Sequence, residues 1–131
     1  MRFYFCTTSD RFGDSMILSP RVPKSLETGR EDDKTNRICV SPSILGALSS
    51  IGQNIGYESE VNVYCCDISD GSSIRQPTFK EVADVEYTGE FWILKDTEFK
   101  LLKKIVINHE SNFYIEESRI FNFEFALKCC F

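Results

Sequence analysis

The sequence predicts an α+β fold, in which a twisted or split, mostly antiparallel sheet of about six or seven strands packs with one main helix. Short segments with alternating apolar and polar residues, rich in aromatic and β-branched side chains, recur along the chain. Only one segment combines a helical apolar stripe with a capping signal. A length of 131 residues, of which 42% are hydrophobic and 27% charged, is typical of a single globular domain spanning 1–131.

The first third of the chain is predicted to be extended or irregular. Residues 2–8 alternate between two faces and are predicted to form a strand. Residues 16–18 lead into 19–23, where two prolines favour an extended backbone. Residues 24–36 are polar and form the longest irregular stretch, which predicts an exposed loop.

The main helix is predicted to follow a short buried strand at residues 37–40. Ser41 is placed as the N-cap and Pro42 at the first helical position, with Gly52 as the stop. The apolar stripe of this helix consists of Ile44, Leu45, Leu48 and Ile51.

The remaining two thirds are predicted to be mostly strands. Residues 61–66 form one, and Thr78 with Glu81 matches a capping box that opens a helical turn ending near Asp84. The other predicted strands are residues 90–94, 99–107, 112–115 and 120–127.

Charge and apolar patterning exclude several classes of protein. The net charge is −5 and the basic residues do not cluster, so we do not expect binding to nucleic acid. No apolar run approaches the ~20 residues of a membrane span, so we expect no membrane association. Residues 1–6 run directly into a strand pattern without a signal peptide, which predicts a cytoplasmic protein.

The six cysteines are predicted to be reduced structural thiols. Four of them form the vicinal pairs Cys65-Cys66 and Cys129-Cys130, in which one partner is expected to face the core. The sequence contains no C-x-x-C motif and a single histidine, His109, so no metal site is predicted.

Few residues stand out as candidates for chemistry, because the common nucleotide-binding, zinc-protease and serine-hydrolase motifs are absent. His109 follows a predicted strand and is interpreted as a turn residue. Glu90 precedes the strand that carries Trp92, which places a carboxylate beside an indole. The acidic run of Glu31, Asp32 and Asp33 lacks calcium-loop spacing and is interpreted as a solvated face suited to docking on a basic partner.

Two segments resemble known proteins. Residues 3–14, F-Y-F-C-T-T-S-D-R-F-G-D, resemble the first strand and turn of the small rifamycin ADP-ribosyltransferases, roughly F-Y-H-G-T-x-x-D-x-x-x-G-D. Residues 37–48 look like the next strand and helix of that family, H-V-Y-x-T-x-x-L-x-x-A, and residues 99–107 are similar to its closing strand. The chain also resembles small phage and mobile-element proteins with an acidic loop and the segments R-I-C-V-x-P-S-I and T-G-E-x-W-I-L.

The transferase resemblance implies an ADP-ribosyltransferase-like fold and NAD as cofactor, but its site is altered here. Phe5 stands where the family has a histidine that helps to hold NAD, and Cys39 stands where a tyrosine packs on the nicotinamide. Other branches of the fold use an arginine–serine–glutamate set, which Arg2, Ser41 and Glu90 would supply by position. The ligand-binding residues expected around such a pocket are Tyr4, Arg37 and Trp92.

Two functional hypotheses follow. The first is a small intracellular, non-catalytic binding or inhibitor protein of phage or mobile-element type, without a cofactor. It would act on a host protein through Glu31, Asp32 and Asp33 or capture a nucleotide-like ligand. The alternative is an NAD-dependent ADP-ribosyltransferase that modifies a host target, in which Glu90 stabilises the oxocarbenium charge. A third, structural interpretation is a homodimer formed through the strand that carries Phe121, Phe123 and Phe125.

Overall fold

Seven strands, two short α-helices and a 3₁₀ turn at Gly71–Ser73 are the regular elements of the computed structural model, which describes residues 1–8, 12–23, 32–51, 58–83 and 85–108. In chain order, the elements are β1 (Arg2–Thr7), β2 (Ser15–Leu18), β3 (Ile38–Val40), α1 (Ile44–Ile51), β4 (Glu58–Asp67), β5 (Ile74–Arg75), α2 (Val85–Thr88), β6 (Phe91–Ile93) and β7 (Thr97–Asn108). Several predicted features lie outside the described residues, namely Glu31, Gly52, Asp84, His109, the strands at 112–115 and 120–127 with Phe121, Phe123 and Phe125, and the pair Cys129-Cys130.

The larger sheet has four antiparallel strands in the order β1-β4-β7-β2. The sequence predicted three of these strands, at residues 2–8, 61–66 and 99–107, whereas β2 forms at Ser15–Leu18, where no strand was predicted. Tyr4 lies opposite Cys65, and Arg2 lies opposite Asp67. The sheet therefore places the N-terminal strand beside β4, which pairs on its other side with the long strand β7.

A bulge in β7 moves the side chains on its two sides to opposite faces of the larger sheet. Val63 pairs with Lys103 and the next residue, Tyr64, pairs with Leu101, so Leu102 is the extra residue. An extra residue reverses the alternation of the side chains that follow it. Phe99 consequently packs in the cluster between the two sheets, whereas Ile105 packs with the helix on the opposite face.

Helix α1 covers part of one face of the larger sheet. Its N-cap is Ser43, whose Oγ accepts a hydrogen bond from the backbone N–H of Gly46 (3.0 Å). The prediction that Ser41 caps the helix is therefore wrong, because the backbone of Ser41 pairs with that of Tyr4 instead. The buried residues that join α1 to the sheet are Cys6, Ala47, Leu48, Val61, Val63 and Ile105.

The smaller sheet has three antiparallel strands in the order β3-β6-β5. Its inner face, which includes Val40 and Ile93, packs against Phe3 and Phe99 of the larger sheet. The outer face carries Trp92, which clusters with Val82, Val85 and Cys39. The predicted α+β architecture with a split antiparallel sheet is confirmed.

A helical turn opens at Thr78, as predicted, because its carbonyl accepts from the N–H groups of Glu81 (3.0 Å) and Val82 (3.0 Å). The backbone N–H of Thr78 donates to Oε1 of Glu81 (2.9 Å), which is half of the predicted capping box. Helix α2 is a separate element, which begins at Val85. Neither helix in the described ranges has the length and apolarity needed to cross a membrane.

Candidate functional site

A cavity of about 90 Å³ lies where α1 meets β1 and the end of β3. Its wall includes aromatic, thiol, hydroxyl and carboxylate side chains, most of them half-buried and so accessible from outside. The lining residues that matter for chemistry are Tyr4, Phe5, Cys6, Cys39, Ser41 and Glu90. We call this space the Glu90 cavity.

Local backbone geometry places Glu90 on the cavity wall. Gly89 has a φ of 61°, a left-handed conformation that suits glycine, and its N–H donates to the carbonyl of Val85 (2.9 Å). This arrangement ends α2 and starts the extended segment that carries Glu90. A Cβ atom on Gly89 would lie 3.6 Å from Oγ of Ser41, so the glycine passes close to the opposite wall.

Ser41 is held in the cavity wall by its own backbone. Its N–H donates to the carbonyl of Tyr4 (3.1 Å), and its carbonyl accepts from the N–H of Tyr4 (2.8 Å). This bridge connects the two sheets. Ser41 is buried, and its Oγ accepts from the N–H of Ser43 (3.3 Å), so the residue has a structural role at the start of the α1 turn.

Behind Glu90 lies a group of polar side chains around one buried indole, which we call the tryptophan cluster (Arg37, Arg75, Glu81, Glu90 and Trp92). Nε1 of Trp92 donates to Oε2 of Glu90 (2.6 Å). The guanidinium carbons of Arg37 and Arg75 lie 4.3 and 4.6 Å from the centroid of the Trp92 ring. Cation–π attraction of this kind gains strength when the ring is fully buried, as Trp92 is.

Carboxylates balance the two guanidinium groups. Arg75 binds Glu81 through two parallel bonds of 2.8 Å each. These bonds, together with the backbone N–H of Thr78, lower the pKa of Glu81 to about 2. The fully buried Arg37 donates from Nη1 to the carbonyl of Asp32 (2.8 Å), and the Asp32 carboxylate lies 3.5 Å from the same nitrogen.

The structure brings together only some of the predicted site residues. Tyr4, Ser41 and Glu90 line the cavity, as do Phe5 and Cys39, the two positions where the transferase resemblance places a histidine and a tyrosine. The other predicted site residues, namely Arg2, Arg37 and Trp92, are absent from the described lining. Arg2 is half-exposed and pairs with Asp67 (3.0 Å), whereas Arg37 and Trp92 are buried in the tryptophan cluster.

Sequence reasoning missed Arg75 as a member of the cluster and assigned Glu81 only a capping role. Arg75 lies opposite Trp92 across β5 and β6, a register that the two-residue strand β5 gives no sequence pattern to predict. The capping-box signal at Thr78 was the one sequence feature that pointed to Glu81.

The structure describes two residues of the predicted acidic surface, Asp32 and Asp33, and these differ in their surroundings. Asp32 accepts from the backbone N–H groups of Thr35 (2.7 Å) and Lys34 (2.8 Å), which lower its pKa. Asp33 is exposed. Within the described ranges, no group of three or more His, Cys, Asp or Glu side chains is arranged to hold a metal ion.

Two described cysteines behave as small core residues. Cys6 and Cys66 are buried, and burial raises the pKa of the Cys6 thiol to about 12 and that of Cys66 to about 11. Cys66 and not Cys65 is the buried member of its vicinal pair, which confirms that one of the two faces the core.

Comparison with known proteins adds no family assignment. No protein-family model matches the sequence, and neither the curated proteins nor the solved structures give a significant match. The resemblance to ADP-ribosyltransferases and to phage proteins therefore stays a prediction, and function has to be argued from the site itself.

Proposed function

We propose that this chain is a small, non-catalytic binding protein that acts on a host protein in the cytoplasm, of the phage or mobile-element type that its sequence resembles. The proposal rests on one observation: the candidate catalytic groups already make hydrogen bonds or ion pairs within the fold. Glu90 accepts the N–H of a buried indole, and Ser41 lies within the bridge that joins the two sheets. Arg2 pairs with Asp67 and is not part of the described cavity lining.

The size of the cavity favours recognition of a protein over capture of a nucleotide. Sites for drug-sized ligands enclose about 300–1,000 Å³. The Glu90 cavity encloses about 90 Å³, which accommodates a few water molecules or the head group of one side chain. A protein partner needs no deep pocket, because its affinity comes from a broad surface with a few well-packed anchors.

The loop at residues 32–36 is a rigid candidate for part of that surface. Asp32 organises the loop through its hydrogen bonds to Lys34 and Thr35, and its N–H donates to the carbonyl of Glu81 (2.8 Å). This internal role leaves Asp33 as the described acidic residue of the loop that is positioned to meet a basic partner.

The test compares two charge reversals at exposed aspartates. Asp33→Lys changes the proposed surface, and Asp96→Lys is the matched control in the loop between β6 and β7. Tagged wild type and both variants are incubated with bacterial lysate, and bound proteins are quantified by mass spectrometry. We expect Asp33→Lys to reduce capture of the specific partner severalfold and Asp96→Lys to leave it unchanged. Equal capture by all three proteins would contradict a role for the 32–36 loop in partner binding.

One observation favours the second candidate, an NAD-dependent ADP-ribosyltransferase. Tyr4, Ser41 and Glu90 come from three separate segments and meet at one cavity, which brings together two members of the expected arginine–serine–glutamate set. In that case Glu90→Gln abolishes release of nicotinamide from NAD while the protein stays folded. A Glu90→Gln variant with full turnover would exclude this candidate.

A further inference from the structure

We propose that two copies of this chain associate through the outer edge of β2, which would join their larger sheets into one continuous antiparallel sheet. Among the described strands, β2 is the last in the larger sheet and pairs on one side only, with β7. The backbone donors and acceptors on the other side of such a strand are available to a further strand. This surface goes beyond the proposed function, which uses the 32–36 loop.

The pairing of β2 with β7 shows which backbone groups face the outer edge. The N–H of Leu101 donates to the carbonyl of Asp14 (2.8 Å), so the backbone of residue 14 is directed towards β7. In an antiparallel pair, this direction alternates from one residue to the next. The even-numbered residues of β2 are therefore directed towards β7. The N–H and carbonyl groups of Ser15 and Ile17 are directed towards the outer edge.

The outer edge of β2 carries none of the usual protection against pairing. Natural edge strands are often protected by charged side chains or prolines. Residues 15–19 read S-M-I-L-S and include neither. Ile17 is 71% exposed, although its neighbour Met16 is buried between the two sheets. The edge therefore combines outward-directed backbone groups with a large exposed apolar side chain, as a strand partner requires.

A second copy fits this edge because the sequence is self-complementary about Ile17. In an antiparallel pair with a two-fold axis at this residue, Ile17 lies opposite Ile17 of the second copy, and the two exchange a pair of backbone hydrogen bonds. Met16 then lies opposite Leu18 of the second copy, and both side chains belong to the face that packs between the sheets. Ser15 meets Ser19, so small exposed side chains end the contact.

Side-chain matching selects this axis over the neighbouring one. An axis at Met16 would keep the same faces, but it would set Asp14 opposite Leu18 and Ile17 opposite Ser15. Cross-strand pairs contribute most to pairing when their side chains suit each other. The axis at Ile17 pairs apolar residues on both faces and is therefore favoured.

Two substitutions at Ile17 test the contact in different ways. Ile17→Pro removes an N–H that is directed away from β7, so it blocks the outer edge and leaves the pairing with β7 in place. Ile17→Lys sets like charges opposite each other across the axis. The matched control is Phe79→Lys, which changes an apolar side chain that is 69% exposed in the turn after β5.

Sedimentation velocity over a range of concentrations measures the association of all four proteins. A salt concentration of about 0.15 M limits repulsion between copies that each carry a net charge of −5. Because β2 is short, we expect a weak dimer of the wild type, with a Kd on the order of 0.1 mM. Both Ile17 variants are expected to weaken the dimer at least tenfold, and Phe79→Lys is expected to leave it unchanged.

Amide hydrogen exchange on the wild-type protein gives a second test, which does not depend on the folding of any variant. We expect the amides of Ser15 and Ile17 to become more protected as the protein concentration rises. The amides of Met16 and Leu18 are directed towards β7 and are expected to be protected at every concentration.

The contrary outcomes are equally specific. A wild-type protein that stays monomeric at millimolar concentration overturns the proposal, and so does a dimer that neither Ile17 variant weakens. Strong protection of the Ser15 and Ile17 amides at every concentration would mean that another segment of the same chain covers the edge, which also overturns the dimer. None of these outcomes depends on capture of a host protein, so the proposed function is tested separately.

Discussion

The indole N–H of Trp92 donates a 2.6 Å hydrogen bond to the carboxylate of Glu90. This bond connects a fully buried core residue to the wall of the Glu90 cavity, which the predicted site residues Tyr4 and Ser41 also line. It gives Glu90 a structural role in addition to its place on the cavity wall. Substitutions at Glu90 therefore need to separate the loss of an acceptor from the loss of a charge.

Glu90→Leu tests the structural role, because leucine leaves the buried indole N–H without this acceptor. Loss of a partner for a buried donor costs about 1–3 kcal/mol, so we expect the free energy of unfolding to fall by that amount. Glu90→Gln retains an acceptor and should lose less than about 1 kcal/mol. Urea denaturation followed by Trp92 fluorescence measures both values, and equal stability of the two variants would contradict this role.

The ion pair between Arg75 and Glu81 predicts a specific loss of stability in acid. The pKa of Glu81 is lowered from 4.5 to about 2 in the folded protein, so the pair contributes fully above about pH 4.5. Its contribution declines as the pH falls and is lost below about pH 2. Because Asp32, Asp67 and Asp70 also have lowered pKa values, the effect is isolated by comparing wild type with Glu81→Gln. We expect the stability difference between the two proteins to shrink from pH 5 towards pH 2; a constant difference would contradict the assignment.

Gly89 is expected to be harder to replace than Gly71, because its backbone lies in the left-handed region. Its φ of 61° costs a residue with a side chain about 1–2 kcal/mol, so Gly89→Ala should lower the free energy of unfolding by that amount. Gly71→Ala is the control, since a Cβ there meets nothing within 4 Å and its φ is not positive. Thermal unfolding of both variants checks the prediction, which fails if the two lose equal stability.

The bulge at Leu102 predicts that the length of β7 matters more than the identity of this side chain. Deletion of Leu102 would restore regular alternation and turn Ile105 away from α1, where it is fully buried. We expect the deletion to prevent cooperative unfolding or to lower the midpoint strongly. Leu102→Ala removes a side chain that is 39% exposed and should change stability by less than about 1 kcal/mol. Circular dichroism melts distinguish the two cases, and a well-folded deletion variant would contradict the register.

Local sequence patterns predicted most of the fold, because alternation and capping act over a few residues. The strand β1 follows from alternating apolar residues, β7 from its aromatic and β-branched residues, and α1 from its apolar stripe. The helix start was misplaced because both Ser41 and Ser43 have capping side chains. The choice between them depends on the backbone pairing of Ser41 with Tyr4, a distant contact that no local pattern reveals.

The candidate site was predictable only in part, since it depends on registers between short strands. Placing Glu90 beside an indole followed directly from its position two residues before Trp92. The approach of Arg75 to the same indole depends on the pairing of β5 with β6. Ile105 packs against α1, on the face opposite Phe99, because of the bulge in β7. The position of that bulge depends on the pairing of β4 with β7.

The central claim is that this chain binds a partner and does not turn over NAD. Native mass spectrometry of the purified protein after incubation with bacterial lysate and NAD tests it most directly. The account predicts a complex with a protein partner, an unmodified mass for the chain and its partner, and no nicotinamide released above a control without the chain. Release of nicotinamide together with an ADP-ribose adduct on a lysate protein, both abolished by Glu90→Gln, would contradict it.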